Sequence, residues 1–397
     1  MEDMRTQVGI IGAGPAGLML AHLLHLHGID SVVLERQTRD HIESRIRAGV
    51  LEQGTVDLLD EIGLADRLHR ECLVHTGLEL LFDGAAQRIP LTELTGRAVT
   101  IYAQHELVKD LVAARLDTGR PLLFEAEATG IAGLEGADPV IRVRQEGREV
   151  ELRCDFVAGC DGFHGVSRPA IPAGAVTAYD HRYPYSWLGV LAQAPPSSEE
   201  LIYAHHDDGF ALHSMRSPEI TRLYLQVAPD ERIEEWPDER IWEQLATRLH
   251  RRDGFHLGTG PILDKGITAL RSYVTEPMRH GRLFLAGDSA HIVPATGAKG
   301  LNLAVADVTV LAAALHDWYT SGSDAGLDAY SRVCLRRVWR VQHFSWWMTS
   351  MLHRPPESDP FGDRLRLSQL RYLTSSTAAA TSFAENYVGL PLVKGGW

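Results

Sequence analysis

The chain has 397 residues, 45% hydrophobic and 23% charged, an ordinary globular balance long enough for two or three domains or one nucleotide-binding domain with insertions. Its 39 basic and 52 acidic side chains leave a net charge of −13, which argues against a nucleic-acid partner but not against an anionic substrate held by local arginines. The four cysteines (Cys72, Cys154, Cys160, Cys334) form no CxxC pair, and no run reaches about 18 uninterrupted apolar residues, so reduced thiols, no membrane span and a cytoplasmic protein are expected.

In chain order, residues 7–11 read as a buried strand, followed by a glycine turn, a helix over 16–26 and a β-branched strand over 31–34 that ends at Glu35. This is a βαβ opening, and it implies a parallel sheet. Residues 45–70 have helical spacing, 78–101 read as short alternating strands, and helix returns over 106–115. Residues 140–156 alternate like a hairpin, and 181–232 are mostly β, as expected of an antiparallel sheet in a second domain. A helix over 238–250, the strand "RLFLAGD" and a long helix over about 299–318 follow, with more helix to the end. "RPPESDP" (354–360) marks a turn between the last helices.

Two glycine stretches carry the chemistry. Gly12-Ala13-Gly14-Pro15-Ala16-Gly17 fits G-x-G-x-x-G after a strand and before a helix. Gly12 permits the tight turn, Gly14 lets backbone approach a pyrophosphate, and Gly17 lets helix pack on strand. Glu35, about twenty residues on, has the spacing of a carboxylate that bonds a ribose 2′-hydroxyl, which points to FAD or NAD. The second stretch, "AGDSAHIVPATGAKGLNLA" (286–304), places Asp288 after a strand and a helix start behind it. An aspartate there suits a polyol chain, and the first amides of the helix, at Leu301 and Asn302, suit the negative edge of a reduced isoalloxazine. The pair therefore spells FAD, held at both ends.

With "GAGPAG", "AGCDGFHGVSR" (including Asp161) and "LAGDSAHIVPATGAKGLN" in view, the chain resembles the single-component flavin-dependent aromatic hydroxylases. More narrowly, it is similar along nearly its whole length to the 4-hydroxybenzoate 3-monooxygenase family, through "RIRAGVLEQG", "GFALHSMRS", "CLRRVWR", "FSWWMTSMLHR" and "AENYVGLP". The resemblance implies an α/β fold: a Rossmann-like FAD-binding domain with a mostly parallel sheet, an inserted antiparallel-sheet substrate domain and C-terminal helices. The expected division is 1–74, 102–180 and 271–318 for FAD, 75–101 and 181–270 for substrate, and 319–397 as a helical region and homodimer interface.

The implied reaction takes 4-hydroxybenzoate, O2 and NAD(P)H to 3,4-dihydroxybenzoate by way of a flavin C4a-hydroperoxide; another hydroxybenzoate is the alternative substrate. Ser214 and Arg216 alternate onto one strand face, where an arginine fork suits a carboxylate. The resemblance adds Tyr224 to that clamp, and adds Met215, Ala295 and Thr296 as further substrate contacts. It makes Tyr203, Tyr387 and His75 a proton relay, with His75 exchanging the proton with solvent, and Arg222 the switch for flavin movement. Arg45, Arg47 and Gln104 are implied FAD contacts.

Two departures from the family pattern stand out. Its usual double proline is Pro294-Ala295 here, although a contact through the Ala295 carbonyl survives the change. In the segment tied to coenzyme choice, His41 stands where tyrosine is common, and Glu43 faces the arginines Arg36, Arg39 and Arg45. A carboxylate beside a 2′-phosphate is repulsive, so relaxed or NADH-leaning specificity is expected.

Overall fold

The structure, a computed structural model, describes residues 4–45, 49–357 and 359–395. Strand Met4–Ile11 pairs in parallel with Arg148–Gly159 on one side and Ser31–Leu34 on the other. Leu283–Leu285 and Leu122–Leu123 extend this sheet in parallel at its two sides. Val8, Ile10, Val33, Val157 and Leu283 have no exposed surface, as expected for strands covered on both faces. Helix Pro15–Leu26 packs against helices Gln104–Asp117 and Gly300–Ser321. The last is long and apolar enough to cross a membrane, but most of it is buried inside the protein as a core helix.

The second sheet runs in the order His291–Ile292, Ile262–Glu276, Thr177–Ala192, Thr221–Val227, Ala211–Met215, Ile202–Ala204, Leu78–Phe82, Ala85–Ile89. It is antiparallel except where Ile202–Ala204 lies parallel to Leu78–Phe82. Strands Thr177–Ala192 and Ile262–Glu276 pair along most of their length. Both run through the expected boundaries at 180 and 270, so the sheet does not stop at either. In Thr221–Val227, Leu223 and Leu225 fill the core on the back, while Arg222, Tyr224 and Gln226 face the other way, half-buried.

Some local expectations are corrected. Residues 45–70 are not one helix: Val50–Glu52 is a strand, followed by helices Gln53–Glu61 and Asp66–Glu71. Gly49 lies so close to Tyr102 that an added Cβ would sit 1.9 Å from its carbonyl oxygen, and Val50–Glu52 pairs with Val99–Ile101. Tertiary pairing overrides the helical spacing there. Within 78–101, Leu91–Thr95 is a helix ended by Gly96 in the left-handed region (φ 70°). The "RPPESDP" turn does separate helices Ala325–Leu352 and Pro360–Ser375, with Thr377–Val388 following.

A buried ion pair ties the second sheet to helix Gly300–Ser321. His291 Nε2 lies 2.6 Å from Asp307 Oδ2, which also accepts the Gly287 amide at 2.9 Å. Burial opposes a charged imidazole, yet the Asp307 carboxylate outweighs it and holds the His291 pKa above its usual value. The pair's contribution is therefore complete below the unfolded value of about 6.5 and is lost as pH rises through the raised folded value. Asp307→Asn is expected to cost about 3 kcal/mol in mildly acidic urea denaturation, with the deficit shrinking as pH rises. A deficit that stays constant with pH would show that charge is not what holds this joint.

Candidate active site

The first glycine loop divides its labour. Gly12 takes φ 102°, and a Cβ there would lie 2.5 Å from the Cys160 carbonyl oxygen. A Cβ on Gly17 would lie 2.0 Å from the Gly12 carbonyl, whereas around Gly14 nothing comes within 4 Å. The open side of the loop is thus at Gly14, where a phosphate can reach backbone at the start of helix Pro15–Leu26. Glu35 closes the loop, accepting from the Ala13 amide at 2.9 Å and the Gln37 amide at 2.8 Å. Asp161 Oδ2 accepts from the Ser167 amide and hydroxyl, both at 2.9 Å. Its Oδ1 is buried with no partner among the described residues, and burial raises its pKa.

At the other end, Asp288 is exposed and its carboxylate accepts no hydrogen bond among the described residues. Gly300 opens helix Gly300–Ser321 with no atom within 4 Å of an added Cβ, which leaves the first amides approachable. The Asn302 side chain is already spent: Oδ1 accepts from Glu52 N and Thr55 Oγ1, and Nδ2 donates to Val50 O, each at 2.9 Å. What Leu301 and Asn302 have left to offer is backbone amide. An open phosphate loop, an acid at the strand end, an orphaned acceptor and a free helix start together fit FAD. Gly14→Ala is expected to leave the melting temperature within a few degrees and weaken FAD binding at least about tenfold by fluorescence titration. Gly17→Ala is expected to cost stability as well; equal effects from both would contradict this division.

Tyr203, Ser214 and Tyr224, three of the expected substrate contacts, share one sheet face. Register places Tyr203, Leu212, Tyr224 and Gly189 in one row, with Ser214, Arg222 and Leu191 in the next. Directly opposed residues share a face. Arg216 Nη1 donates to Ser214 Oγ at 3.1 Å and to the Met215 carbonyl at 2.9 Å, and its Nε is buried without a partner among the described residues. Burial pulls the Arg216 pKa down; Tyr224 opposes that shift and Arg222 adds to it. An anion arriving between the two guanidiniums would relieve both penalties. The Arg222 guanidinium stands 5.2 Å from the Tyr224 ring centroid and 3.6 Å from Asp264.

Tyr203 and Tyr387 meet in the interior, hydroxyl to hydroxyl at 2.7 Å, with 2% and 1% of their surface exposed. Burial raises both phenol pKa values, so the pair stays protonated. His75 corrects an expectation: it is 2% exposed, with neither ring nitrogen bonded among the described residues, so its ring does not reach solvent. Burial pushes its pKa down to about 4, which keeps it neutral. Thr296 differs as well. Its hydroxyl lies 2.8 Å from that of Thr349 on helix Ala325–Leu352, so it is turned to the protein. The Ala295–Gly297 turn sets Ala295 beside it. Gln104 opens helix Gln104–Asp117 and Arg45 caps Arg39–Ser44; Arg47 lies outside the described residues.

Sequence reasoning passed over Lys299 and Glu52. Lys299 Nζ donates to Glu52 Oε1 at 2.8 Å and to the Tyr387 carbonyl at 2.6 Å, and Arg337 reaches Glu52 Oε2 at 3.2 Å. Lys299 and Glu52 are 2% and 4% exposed. The signal was present: a lysine inside "ATGAKG" and a glutamate inside "GVLEQG", each between glycines in an apolar stretch.

Comparison with known proteins agrees with this geometry. The FAD binding domain family matches residues 5–345. The p-hydroxybenzoate hydroxylase of Acinetobacter baylyi (strain ATCC 33305 / BD413 / ADP1) is 47% identical over 98% of this chain and 97% of its own. A 3-(3-hydroxy-phenyl)propionate/3-hydroxycinnamic acid hydroxylase of Mycobacterium sp. (strain JLS) is 27% identical over 83% of this chain and 57% of its own. Among solved structures, p-nitrophenol 4-monooxygenase from Pseudomonas putida DLL-E4 superposes with a TM-score of 0.83 at 19% identity, covering 97% of each chain. A ternary complex of aklavinone-11 hydroxylase with FAD and aklavinone gives a TM-score of 0.75 at 24% identity, covering 90% of this chain and 70% of its own. The chain belongs to the p-hydroxybenzoate hydroxylase family of FAD-binding aromatic monooxygenases.

Proposed function

We propose that this protein hydroxylates 4-hydroxybenzoate at the carbon beside its phenol oxygen, giving 3,4-dihydroxybenzoate and water from O2 and NAD(P)H. The observation that carries the reading is the pairing of an anion clamp with a hydroxyl relay on one sheet face. Tyr203 stands two strands from Tyr224, about 10 Å across the sheet, with Ser214 and Arg216 beside the clamp. A ring with a carboxylate at one end and a hydroxyl at the other has a partner at each.

In this reading the Arg216 fork, its unpaired Nε included, takes the carboxylate, with the Ser214 and Tyr224 hydroxyls at its sides. Met215, Ala295 and Thr296 close the pocket, the last two through backbone and methyl. The substrate phenol gives its proton toward Tyr203, and the Tyr203–Tyr387 pair passes it on in concert, since burial disfavours either tyrosinate. The resemblance makes His75 the next acceptor; among the described residues neither of its ring nitrogens is bonded, so the unprotonated one is open to a proton. A phenolate ring gives up electrons far more readily than a phenol, which is what hydroxylation at the neighbouring carbon demands. FAD, once reduced by NAD(P)H, supplies the activation of O2. Gly12, Gly14, Gly17, Glu35, Asp161, Asp288, Leu301 and Asn302 would hold it, with Arg45, Arg47 and Gln104 as the further contacts the resemblance implies and Arg222 as the residue that would control its exposure to the nicotinamide.

Coenzyme choice follows from charge. Arg39 Nε is bound to Glu43 Oε1 at 2.6 Å, so one cation of the segment is already neutralised, while Arg36 and His41 stay exposed. We read this as relaxed or NADH-leaning specificity. Exposed Trp339, Trp346, Phe361, Leu365 and Tyr372 on the C-terminal helices suit a second copy of the chain. Four unpaired cysteines and a nicotinamide co-substrate suit the cytoplasm.

The test is NADH and NADPH oxidation, in parallel, with and without 4-hydroxybenzoate, with chromatographic identification of the product. Stimulated oxidation yielding one 3,4-dihydroxybenzoate per nicotinamide is expected, faster with NADH; stimulated oxidation yielding only peroxide would move the substrate to another hydroxybenzoate. Tyr387→Phe is expected to lower kcat by on the order of 100-fold, with FAD binding and KM little changed. An unaltered kcat would remove the relay from the mechanism.

A further inference from the structure

Helix Ala325–Leu352 carries a polar stripe on a buried side. Gln342, Ser345 and Thr349 are 5%, 0% and 0% exposed, and their spacing of three and four residues puts them on one face. Gln342 Nε2 and the Thr349 hydroxyl make hydrogen bonds there, whereas Ser345 Oγ has no partner among the described residues. These face the 292–298 loop, which enters the site. Gln342 Nε2 donates to the Ile292 carbonyl at 2.6 Å, and a Cβ on Gly297 would lie 3.1 Å from Ser345 Oγ. Thr349 Oγ1 lies 2.8 Å from Thr296 Oγ1 and 2.6 Å from the Ser345 carbonyl. A hydroxyl has one proton, so both contacts are satisfied when that of Thr349 lies on Ser345 O and that of Thr296 lies on Thr349. Among the described residues this is the stripe's one side-chain to side-chain bond to the loop.

The loop needs such a hold. Ala298 takes φ 53°, a left-handed conformation disfavoured for any residue with a Cβ. It sits between the turn bearing Ala295 and the helix whose first amides face the cofactor site. Pro294 alone stiffens the entry. We propose that Thr349 is a positioning residue for hydroxylation: through Thr296 it fixes the loop that sets substrate against cofactor, although it touches neither. The proposal rests on the functional reading above.

Pro294 supplies an independent lever. Its φ of −59° and ψ of 141° are the extended geometry that a following proline requires, and position 295 opens a 3-10 turn where proline is accepted. Ala295→Pro is therefore expected to stiffen the same loop by another route.

The experiment compares Thr349→Val, Thr349→Ser and the double variant Thr349→Val with Ala295→Pro, each as FAD-loaded enzyme. Three readouts are taken: 3,4-dihydroxybenzoate formed per nicotinamide oxidised, KM for 4-hydroxybenzoate against kcat, and amide hydrogen exchange over 293–299 without substrate. Thr349→Val is expected to lose product yield and raise KM by on the order of tenfold while retaining FAD. Exchange in the loop should quicken, Thr349→Ser should match the parent, and the added proline should restore most of the lost yield. A Thr349→Val enzyme that melts lower but keeps yield, KM and loop exchange within about twofold of the parent would make Thr349 merely structural and overturn the proposal. If that variant does not fold, Thr296→Val takes its place, with the same expected losses and the same overturning result. Should the parent make no dihydroxybenzoate while loop exchange still responds to Thr349, the functional reading falls and the anchoring of the loop stands.

Discussion

The carboxylate of Glu52 is the point on which the rest of the site depends. It is buried, and it is held by two cations from different parts of the chain, Lys299 at the mouth of the 300–321 helix and Arg337 on the 325–352 helix. A buried charge is tolerated when partners and hydrogen bonds surround it, and losing one partner costs about 3–5 kcal/mol. That penalty joins four segments at one spot. Lys299 also bonds the Tyr387 carbonyl, and Arg337 bonds the carbonyls of Leu390 and Pro391. Gly389 packs so closely that a Cβ would lie 2.0 Å from Glu52 Oε2. Tyr387, the 292–298 loop and the start of helix Gly300–Ser321 are thus referred to one carboxylate.

The 325–352 helix gives that point its reach. At one end Tyr330 donates to the Leu285 carbonyl at 2.8 Å, just before the Gly287-Asp288 turn, and the Ser331 hydroxyl accepts the Met278 amide at 3.0 Å. Past its other end, His353 accepts from Trp187 Nε1 at 2.6 Å and stacks against Phe210 and Tyr185. Burial drives the His353 pKa down to about 3, so it stays a neutral acceptor there. With 28 residues the helix spans about 42 Å, enough to tie the parallel sheet to the second sheet with one rod.

Much of this was legible in the sequence because it is local. The glycine loop, Glu35 and the βαβ opening are set by neighbours in the chain, and the alternation of residues 221–227 shows which side chains leave the back core. What escaped depends on partners far away. No local pattern shows that Val50–Glu52 will pair with Val99–Ile101, so helical spacing over 45–70 was misleading. His75 has the side chain of a solvent exchanger, and only the packing around it reveals a buried, neutral ring. "FSWWMTSMLHR" lies in the region expected to be helical and an interface, and the helix divides it: Phe344, Met348 and Leu352 point inward while Trp346 is 48% exposed. The polar positions 342, 345 and 349 carry a helical period of their own, which an eye set for apolar stripes passes over.

The Tyr203–Tyr387 bond joins residues 184 positions apart, and the Lys299–Glu52 bond joins residues 247 apart. The nucleotide loop, by contrast, is closed by Glu35 across 22 positions. Closing long chain segments comes late, because their entropy must be spent before their contacts form. The turn that Glu35 closes is therefore local, whereas the Tyr203–Tyr387 and Lys299–Glu52 bonds need distant parts of the chain in place.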